Sequence, residues 1–525
     1  MQSCRGFPMP VAILLLTMLI ALLLGGGGAG EVDARAPAGK KPNIILIVTD
    51  DQPASTLTPA VMPKTSRRLT RRGTTFSEAV ATTPLCCPAR ASILTGQYGH
   101  NTGILENLPG WPSLADRANT LPNWLRGAGY RTAHVGKWLH GYGEQTEKKN
   151  TVAPGWNQWH TFLALEYYDY KLRVNGGAKR YGDEPRDYLT RVLNRKATRL
   201  IKRQLPRRKP LYLQLEHLAP HSGSGGSGKC RQGAVPDPRD RKRFRRAPLP
   251  KPPSFNEADV SDKPSFASER PRLDGPDVKS ITRRYRCALA SLRAVDRGVG
   301  MISRAVRRAG ERRNTAIILI SDNGYFRGEH RMLRGKGLPY EESVRVPLVM
   351  LLPPRLAGGQ DRAVAEPVAN LDLTPTILDL AGAQPCRRGE CRTLDGRSLL
   401  DLAQGSAAGW PDDRALAIEF DKDGGSAPSY GDTCTYAGLR TPTRLFVDHT
   451  ELPNPDQGYA CEPSPGAEEL YHLDSDPFQL DNLAFTDPGG SAAERTALRE
   501  RLEDLRTCAG IAGRDPAPAG RANCE

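Results

Sequence analysis

The stretch Leu85-Cys86-Cys87-Pro88-Ala89-Arg90-Ala91-Ser92-Ile93-Leu94-Thr95-Gly96 combines a thiol, a proline, an arginine and a Thr-Gly stop, a grouping that packing alone does not require. Pro88 has the fixed φ that suits a first helical turn, and Ala89 to Leu94 can continue from it. Cys86 is therefore predicted to sit just before a helix N-terminus. Unpaired backbone N–H groups and the helix dipole favour an anion or a reacting oxygen at such a place, and Arg90 adds a fixed positive charge one turn on. The plainer alternative is that Cys86 and Cys87 are buried core thiols or disulfide partners.

Two further pairs, Asp50-Asp51 and Asp322-Asn323, could also do chemistry. Asp50 and Asp51 end one predicted strand, and Asp322 and Asn323 end another in Ile320-Ser321-Asp322-Asn323-Gly324, at the carboxyl edge where open α/β sheets place their sites. An isolated Asp-Asp pair is usually a turn or a helix cap. Three carboxylates and an amide without a His or Cys cluster suit a hard, oxygen-seeking cation, so Ca²⁺ is favoured over Zn²⁺.

Cys86, Pro88, Arg90 and Leu94-Thr95-Gly96 resemble the CxPxR...LTG signature of type I sulfatases, the formylglycine-dependent branch of the alkaline phosphatase superfamily. The resemblance implies that Cys86 is oxidised to formylglycine, whose hydrate is the nucleophile. It also implies that Asp50, Asp51, Asp322, Asn323 and the modified Cys86 hold a divalent metal, Ca²⁺ ahead of Mg²⁺. Gly136-Lys137-Trp138 resembles a family segment whose lysine contacts sulfate; the family often has His two positions later, where this chain has Leu139 and then His140. Lys137 and His140 are thus substrate-binding candidates. Ala219-Pro220-His221 is similar to an element whose histidine protonates the leaving group, with His217 as a competitor at the strand end. Gly335-Lys336-Gly337, Tyr340-Glu341-Glu342 and Arg345-Val346-Pro347 form a further matching block, with Lys336 as the second sulfate-binding lysine and Glu329-His330 structural or at the substrate rim. Arg90 is expected to orient the nucleophile, since it stays protonated, and Asp322 to help deprotonate it.

Later segments also resemble the family: Leu371 to Thr376, Asp395 to Leu399, and Glu469 to Leu473 with Asp476-Pro477 and Asn482-Leu483, so the similarity covers residues 42–483. Cys86-Cys87 and Asp259 to Pro264 lean toward the N-acetylglucosamine-6-sulfatase-like or arylsulfatase-like branch. The implied activity is hydrolysis of sulfate monoesters of small molecules or sugars, with a formylglycine-generating enzyme as maturation partner. The rivals are a phosphomonoester or phosphonate hydrolase of the same superfamily and an inactive carbohydrate-binding relative.

The elements that must position these residues read as an α/β fold. Short apolar runs at Asn43 to Thr49, Thr132 to Val135, Leu211 to Leu215, Ala316 to Ser321 and Val346 to Leu352 are predicted strands. Helical stretches at Leu121 to Arg126, Tyr188 to Arg203 and Lys279 to Arg308 alternate with them, which indicates a large, mostly parallel mixed sheet flanked by helices. Ser222 to Ser268, rich in Gly, Ser, Pro and charge, reads as a surface excursion near the substrate entrance. After Gly405 shorter strand-like pieces, Ala415 to Phe420 and Leu445 to His449, precede a terminal helix at Ala492 to Leu505. The expected organisation is a catalytic domain over 40–405 and a smaller C-terminal α+β domain over 406–525.

The 525-residue length agrees with two domains. Val11 to Leu24 is too short and Gly-flanked for a comfortable span, and Ala34-Arg35-Ala36 offers a cleavage site, so residues 1–36 are expected to be a signal peptide rather than an anchor. The absence of any Asn-x-Ser/Thr acceptor favours a bacterial secreted protein. Of 11 cysteines, Cys386 and Cys391 flank a short loop, Cys434 and Cys461 share one segment, and Cys508 and Cys524 close the chain. Cys230 and Cys287 remain as a fourth pair and Cys87 stays unpaired, with connectivity left open by the sequence. The net charge of +16 suits either polyanionic substrates or a solvated basic surface, and the second is favoured because the densest run, Arg239 to Arg246, lies in an irregular segment. No aromatic-basic module supports nucleic-acid binding.

Overall fold

The computed structural model describes residues 40–143, 151–205, 207–225, 230, 233–359, 361–422, 433–454, 460–516 and 519–525. The expected signal peptide lies outside the described residues. The fold is organised by strand β1, Asn43–Asp50, whose eight residues are all buried. Ile44, Leu46 and Val48 enter one core and Ile45 and Ile47 the other, the alternation of a strand covered on both faces.

Nine more strands extend this sheet: β2 (Thr74–Phe76), β3 (Arg131–Lys137), β4 (Gln158–Phe162), β5 (Lys171–Val174), β6 (Gly177–Arg180), β7 (Leu211–Pro220), β8 (Thr315–Ser321), β9 (Leu348–Leu351) and β10 (Arg362–Val364). Their order is β10-β2-β9-β8-β1-β7-β3-β4-β5-β6. The central block from β8 to β4 is parallel. Strand β9 runs antiparallel to both neighbours, and β5 and β6 are antiparallel as well. The parallel block brings the ends of β1, β7, β8 and β3 to one edge, where Asp50, Pro220, Ser321 and Lys137 emerge.

Helices α1 (Cys86–Thr95), α2 (Leu121–Gly127) and α5 (Leu373–Ala381) cover one face, and α3 (Leu189–Gln204) and α4 (Gly275–Arg308) the other. Helix α4 starts at a capping box in which Asp274 accepts from the Asp277 N–H and Asp277 answers to the Asp274 N–H. Its packing on α3 depends on Gly298: a Cβ there would lie 1.9 Å from Asn194 Oδ1, and Asn194 Nδ2 donates to Ala294 O at 2.9 Å.

A four-stranded antiparallel sheet, β11 (Leu416–Phe420), β12 (Tyr436–Arg440), β13 (Arg444–Asn454) and β14 (Ala460–His472), forms the smaller C-terminal part with helix α6, Ala492–Thr507. Its core is shared with Val80, Leu85, Phe326 and Tyr340, so it braces the loops around Cys86. The disulfides are Cys230–Cys287, Cys386–Cys391, Cys434–Cys461 and Cys508–Cys524, the four pairs the cysteine spacing suggested. Cys86 and Cys87 are free and buried. Among the described residues, no helix is long and apolar enough to cross a membrane.

Candidate active site

Helix α1 begins at Cys86 itself, one residue earlier than the sequence suggested: Leu85 is extended, and Pro88 lies in the first turn. Gly96 ends the helix in the left-handed region at φ 72°, its N–H donating to Ser92 O at 2.8 Å, which explains the Thr-Gly stop. All ten helical residues are buried. Asn370 Nδ2 on Ala89 O (3.0 Å) and Thr374 Oγ1 on Ile93 O (2.6 Å) fix the helix from the side of α5.

Cys86 Sγ is thereby held 3.4 Å from Asp50 Oδ1 and 2.8 Å from Lys336 Nζ. Burial, reinforced by the Asp50 carboxylate, pushes its thiol up to about 12. An unmodified Cys86 is therefore a neutral thiol at physiological pH and a poor nucleophile. Burial does the same to Cys87, also to about 12.

The groups around Cys86 come from strands β1, β3, β7 and β8, from helix α1 itself and from one loop. Asp50 ends β1, and Asp51 follows at φ 61°, in the left-handed region. Lys137 ends β3 and donates to Asp50 Oδ2 at 2.7 Å. Gly136 before it allows the approach of β7, since a Cβ there would lie 1.8 Å from Glu216 O. Asp322 follows β8: its Oδ1 accepts from the N–H groups of Asp51 (3.2 Å) and Asn323 (2.9 Å), and its Oδ2 from Arg90 Nε (3.0 Å) and Nη2 (2.8 Å). Lys336 bonds Asp51, and Arg90 Nη1 pairs with Glu216. Glu216 was missed from the sequence because it lies one residue past the predicted strand end. Its signal was the polar alternation Gln214, Glu216 in an otherwise apolar strand.

These charges tune one another. Burial would raise the Asp50 carboxyl, but Lys137, His221, Arg90 and Lys336 together hold it well below the usual range. Burial and the neighbouring Asp50 raise that of Asp322. Lys137 and Lys336 would lose protons through burial, yet Asp50 and Asp51 respectively keep them charged.

His221, just beyond β7, places Nε2 3.6 Å from Asp51 Oδ2, and its backbone carbonyl accepts from Tyr167 Oη at 2.7 Å. His140 adjoins the Lys137 and Asp50 charges; burial, with Lys137, lowers it to about 3, and its Nδ1 has no partner. His217 is buried with both ring nitrogens unpartnered and is lowered to about 3 by burial alone. His330 bonds Glu257 (2.7 Å) and stacks on Tyr340, so it ties a loop down rather than facing Cys86.

The donor set fits a hard cation. Ligand atoms of Asp50, Asp51, Cys86 and His221 all lie within 4.8 Å of one another. Asn323 Oδ1 is buried without a partner while its Nδ2 donates to Asp51 Oδ1 at 2.8 Å, which leaves an amide oxygen free beside the carboxylates.

The sulfatase family matches residues 42–383. This chain belongs to the sulfatase family. It is 30% identical over 514 residues to the N-acetylglucosamine-6-sulfatase of Homo sapiens, covering 91% of this chain and 86% of the relative. It spans less than two thirds of several other relatives: 33% of the extracellular sulfatase SULF-1 homologue of Drosophila melanogaster and 59% of the arylsulfatase of Volvox carteri. The fold is that of an enzyme solved with its substrate D-glucosamine-2-N,6-O-disulfate, at TM-score 0.69 and 22% identity, covering 89% of this chain and 97% of that one. It is equally that of the phosphonate monoester hydrolase of Agrobacterium radiobacter, at TM-score 0.66 and 22% identity, with 89% and 95% covered.

Proposed function

We propose that this protein is an exported sulfatase that hydrolyses sulfate monoesters, sulfated sugars above all, through a formylglycine made from Cys86. The observation that supports this most directly is the setting of Cys86: a buried helix N-terminus where Lys137, Lys336 and Arg90 converge on three aspartates. Such a site suits an anionic ester and gives an ordinary thiol nothing to do. A formylglycine at position 86 would supply, as its hydrate, two geminal hydroxyls, chemistry suited to attack on a sulfate ester and to later release of sulfate with return of the aldehyde. A divalent cation, Ca²⁺ by preference, would be held by Asp50, Asp51, Asp322, Asn323 and residue 86, and would polarise a sulfate oxygen.

The chain's own residues do the rest. Lys137 and Lys336 hold the equatorial sulfate oxygens. Arg90 orients Asp322, whose raised carboxyl suits it to take the proton of the attacking hydroxyl. His221 donates a proton to the departing alcohol oxygen, and His140 borders the bound ester. The four disulfides support an oxidising destination, and conversion of Cys86 requires a formylglycine-generating enzyme acting before the buried helix folds. The test is paired kinetics on aryl sulfate and aryl phosphate, together with N-acetylglucosamine 6-sulfate, using protein verified by peptide mass spectrometry to carry formylglycine. Preference for phosphate would move the chain to the phosphomonoester or phosphonate hydrolases, and a wholly unmodified Cys86 would make it a carbohydrate-binding relative.

A further inference from the structure

The fold brings a sulfur and an imidazole nitrogen into what the sequence presents as a cluster of oxygens. Ligand atoms of Cys86, His221, Asp50 and Asp51 all lie within 4.8 Å of one another. Cys86 Sγ is 3.4 Å from Asp50 Oδ1, and His221 Nε2 is 3.6 Å from Asp51 Oδ2. A tetrahedral ion with bonds of about 2.0–2.3 Å sets its ligand atoms about 3.3–3.8 Å apart, so both pairs already stand at the spacing of neighbours around one ion.

The setting of His221 points the same way. Its Nδ1 is bonded to the carbonyl of Ser222, which can only accept, so Nδ1 carries the hydrogen and the neutral ring keeps its lone pair on Nε2. That lone pair lies beside the Asp51 carboxylate, an acceptor against an acceptor, and the contact is favourable only with a proton or a metal ion between them. A carbonyl holding Nδ1–H is also the arrangement that fixes and strengthens the other nitrogen of a metal-binding histidine. Positive charge is already drawn to the same place: Lys336 Nζ bonds both Cys86 Sγ, at 2.8 Å, and Asp51, so an ammonium bridges two of the four residues.

The charges of the cluster favour a divalent ion on a thiolate. Asp50, Asp51, Asp322 and Glu216 exceed Arg90, Lys137 and Lys336 by one negative charge. When a metal–sulfur bond forms, the thiol proton leaves to solvent, the excess becomes two, and a divalent ion cancels it. Thiolate and imidazole select Zn²⁺, whereas Ca²⁺ takes about six or more oxygens.

We propose that, while residue 86 is still a cysteine, this site binds Zn²⁺ through Cys86 Sγ, His221 Nε2, Asp50 and Asp51, and that the formylglycine protein, which lacks the sulfur, keeps only the oxygen set that suits Ca²⁺. One pair of aspartates thus serves two metals, and the chemistry of residue 86 selects between them. The zinc site belongs to the unconverted chain and holds whatever the enzyme cleaves; the change of metal on conversion rests on the proposed function.

The experiment uses the full chain made without a formylglycine-generating enzyme, its Cys86 thiol verified by peptide mass spectrometry, beside the same chain carrying formylglycine. Both are stripped of metal and titrated with Co²⁺, Zn²⁺ and Ca²⁺. The expected result for the thiol protein is a sulfur-to-cobalt charge-transfer absorption that Zn²⁺ abolishes, and Zn²⁺ bound at least about 100-fold more tightly than Ca²⁺. In the formylglycine protein the absorption is absent and the preference for Zn²⁺ falls by about 100-fold or more. Cys86→Ser loses the absorption, Cys87→Ser keeps it, and His221→Gln weakens Zn²⁺ binding by about 10-fold or more. Comparison of two forms of one sequence makes the result independent of whether a variant folds. Absence of the absorption from the thiol protein, its persistence in Cys86→Ser, Zn²⁺ affinity unchanged in His221→Gln, or equal metal preference in the two forms overturns the proposal. Failure of the formylglycine protein to cleave any sulfate ester overturns the proposed function alone.

Discussion

Arg90 is the side chain on which both the stability and the chemistry of the site depend, and substitution of Arg90 by Gln separates the two. The guanidinium is 1% exposed, donates twice to Asp322 Oδ2, pairs with Glu216, and passes 3.6 Å from Asp50 Oδ2. Its removal leaves Glu216 and Asp322 as buried carboxylates without their main partner, a change that costs about 3–5 kcal/mol. Glu216→Gln alone keeps an acceptor for Arg90 Nη1 and costs about 1 kcal/mol. In the Arg90→Gln, Glu216→Gln double variant one uncompensated charge is gone, and the cost falls to about 2–3 kcal/mol, a coupling of about 1–4 kcal/mol. Urea denaturation of the four proteins measures this cycle. Hydrolysis behaves differently: Arg90→Gln lowers kcat/KM by about 100-fold or more, and the second substitution restores stability but not rate, because Asp322 still lacks its orienting partner. Costs that add within about 0.5 kcal/mol would refute the argument that Arg90 and Glu216 compensate each other's burial.

Cys86→Ala is expected to abolish sulfate ester hydrolysis while Cys87→Ala keeps it within about tenfold, and peptide mass spectrometry of the unsubstituted protein should find formylglycine at position 86 only. His330 supplies a pH signature remote from the chemistry. Burial would lower its pKa, but Glu257 and Glu342 outweigh burial and hold it at about 9, against about 6.5 in the unfolded chain. Because the folded value is raised, this stabilisation of about 3 kcal/mol is fully present below pH 6.5 and is lost as pH rises through 9; the stability difference between the protein and a His330→Gln variant should shrink across that window. Removal of divalent cations with a chelator should lower both activity and the thermal midpoint, and Ca²⁺ should restore them better than Mg²⁺; saturation at about 100 times Kd corresponds to about 2.7 kcal/mol.

The parts of the fold legible in the sequence are those whose residues are buried on both faces. Strands β1, β3 and β8 were predicted within two residues of their ends because a parallel strand between two helical layers is buried on both faces and carries an apolar run, long in β1 and β8 and short in β3. Strands at the margins obey other rules. Lys171–Val174 and Gly177–Arg180 are too charged to read as strands, yet Asn175 and Gly176 between them, both at positive φ, are a hairpin signal that attention to apolar runs passed over. Strand β14 contains Pro463 and Pro465, which argue against a strand; it forms because it is an edge, paired only with β13. The run at Val346 to Leu352 was expected in a mostly parallel sheet but turns back antiparallel, since only the short helix Glu341–Val344 separates it from the site loops after β8. In the site, motif spacing brought together Asp50, Asp51, Cys86, Arg90, Lys137, Asp322 and Lys336, but it could not reveal Glu216, because pairing across strands and loops has no linear signature.

The balance of charge in the site explains why sulfate binding and cation binding should be one process. Asp50, Asp51, Asp322 and Glu216 face Arg90, Lys137 and Lys336, so the buried cluster is one negative charge in excess. In that state each lysine is committed to an aspartate, and a sulfate monoester, itself an anion, would meet a repulsive site whose cations are already engaged. A divalent cation at this site would change the sign to one positive charge, which a singly charged ester would neutralise. On the proposed reading, a cation held by Asp50 and Asp51 would leave Lys137 and Lys336 available to the sulfate oxygens. Low dielectric makes this exchange steep, because each uncompensated charge buried among α1, β1 and β8 carries a penalty of several kcal/mol. Under the proposed function, the lysines that pair with Asp50 and Asp51 would be the same groups that hold the anion.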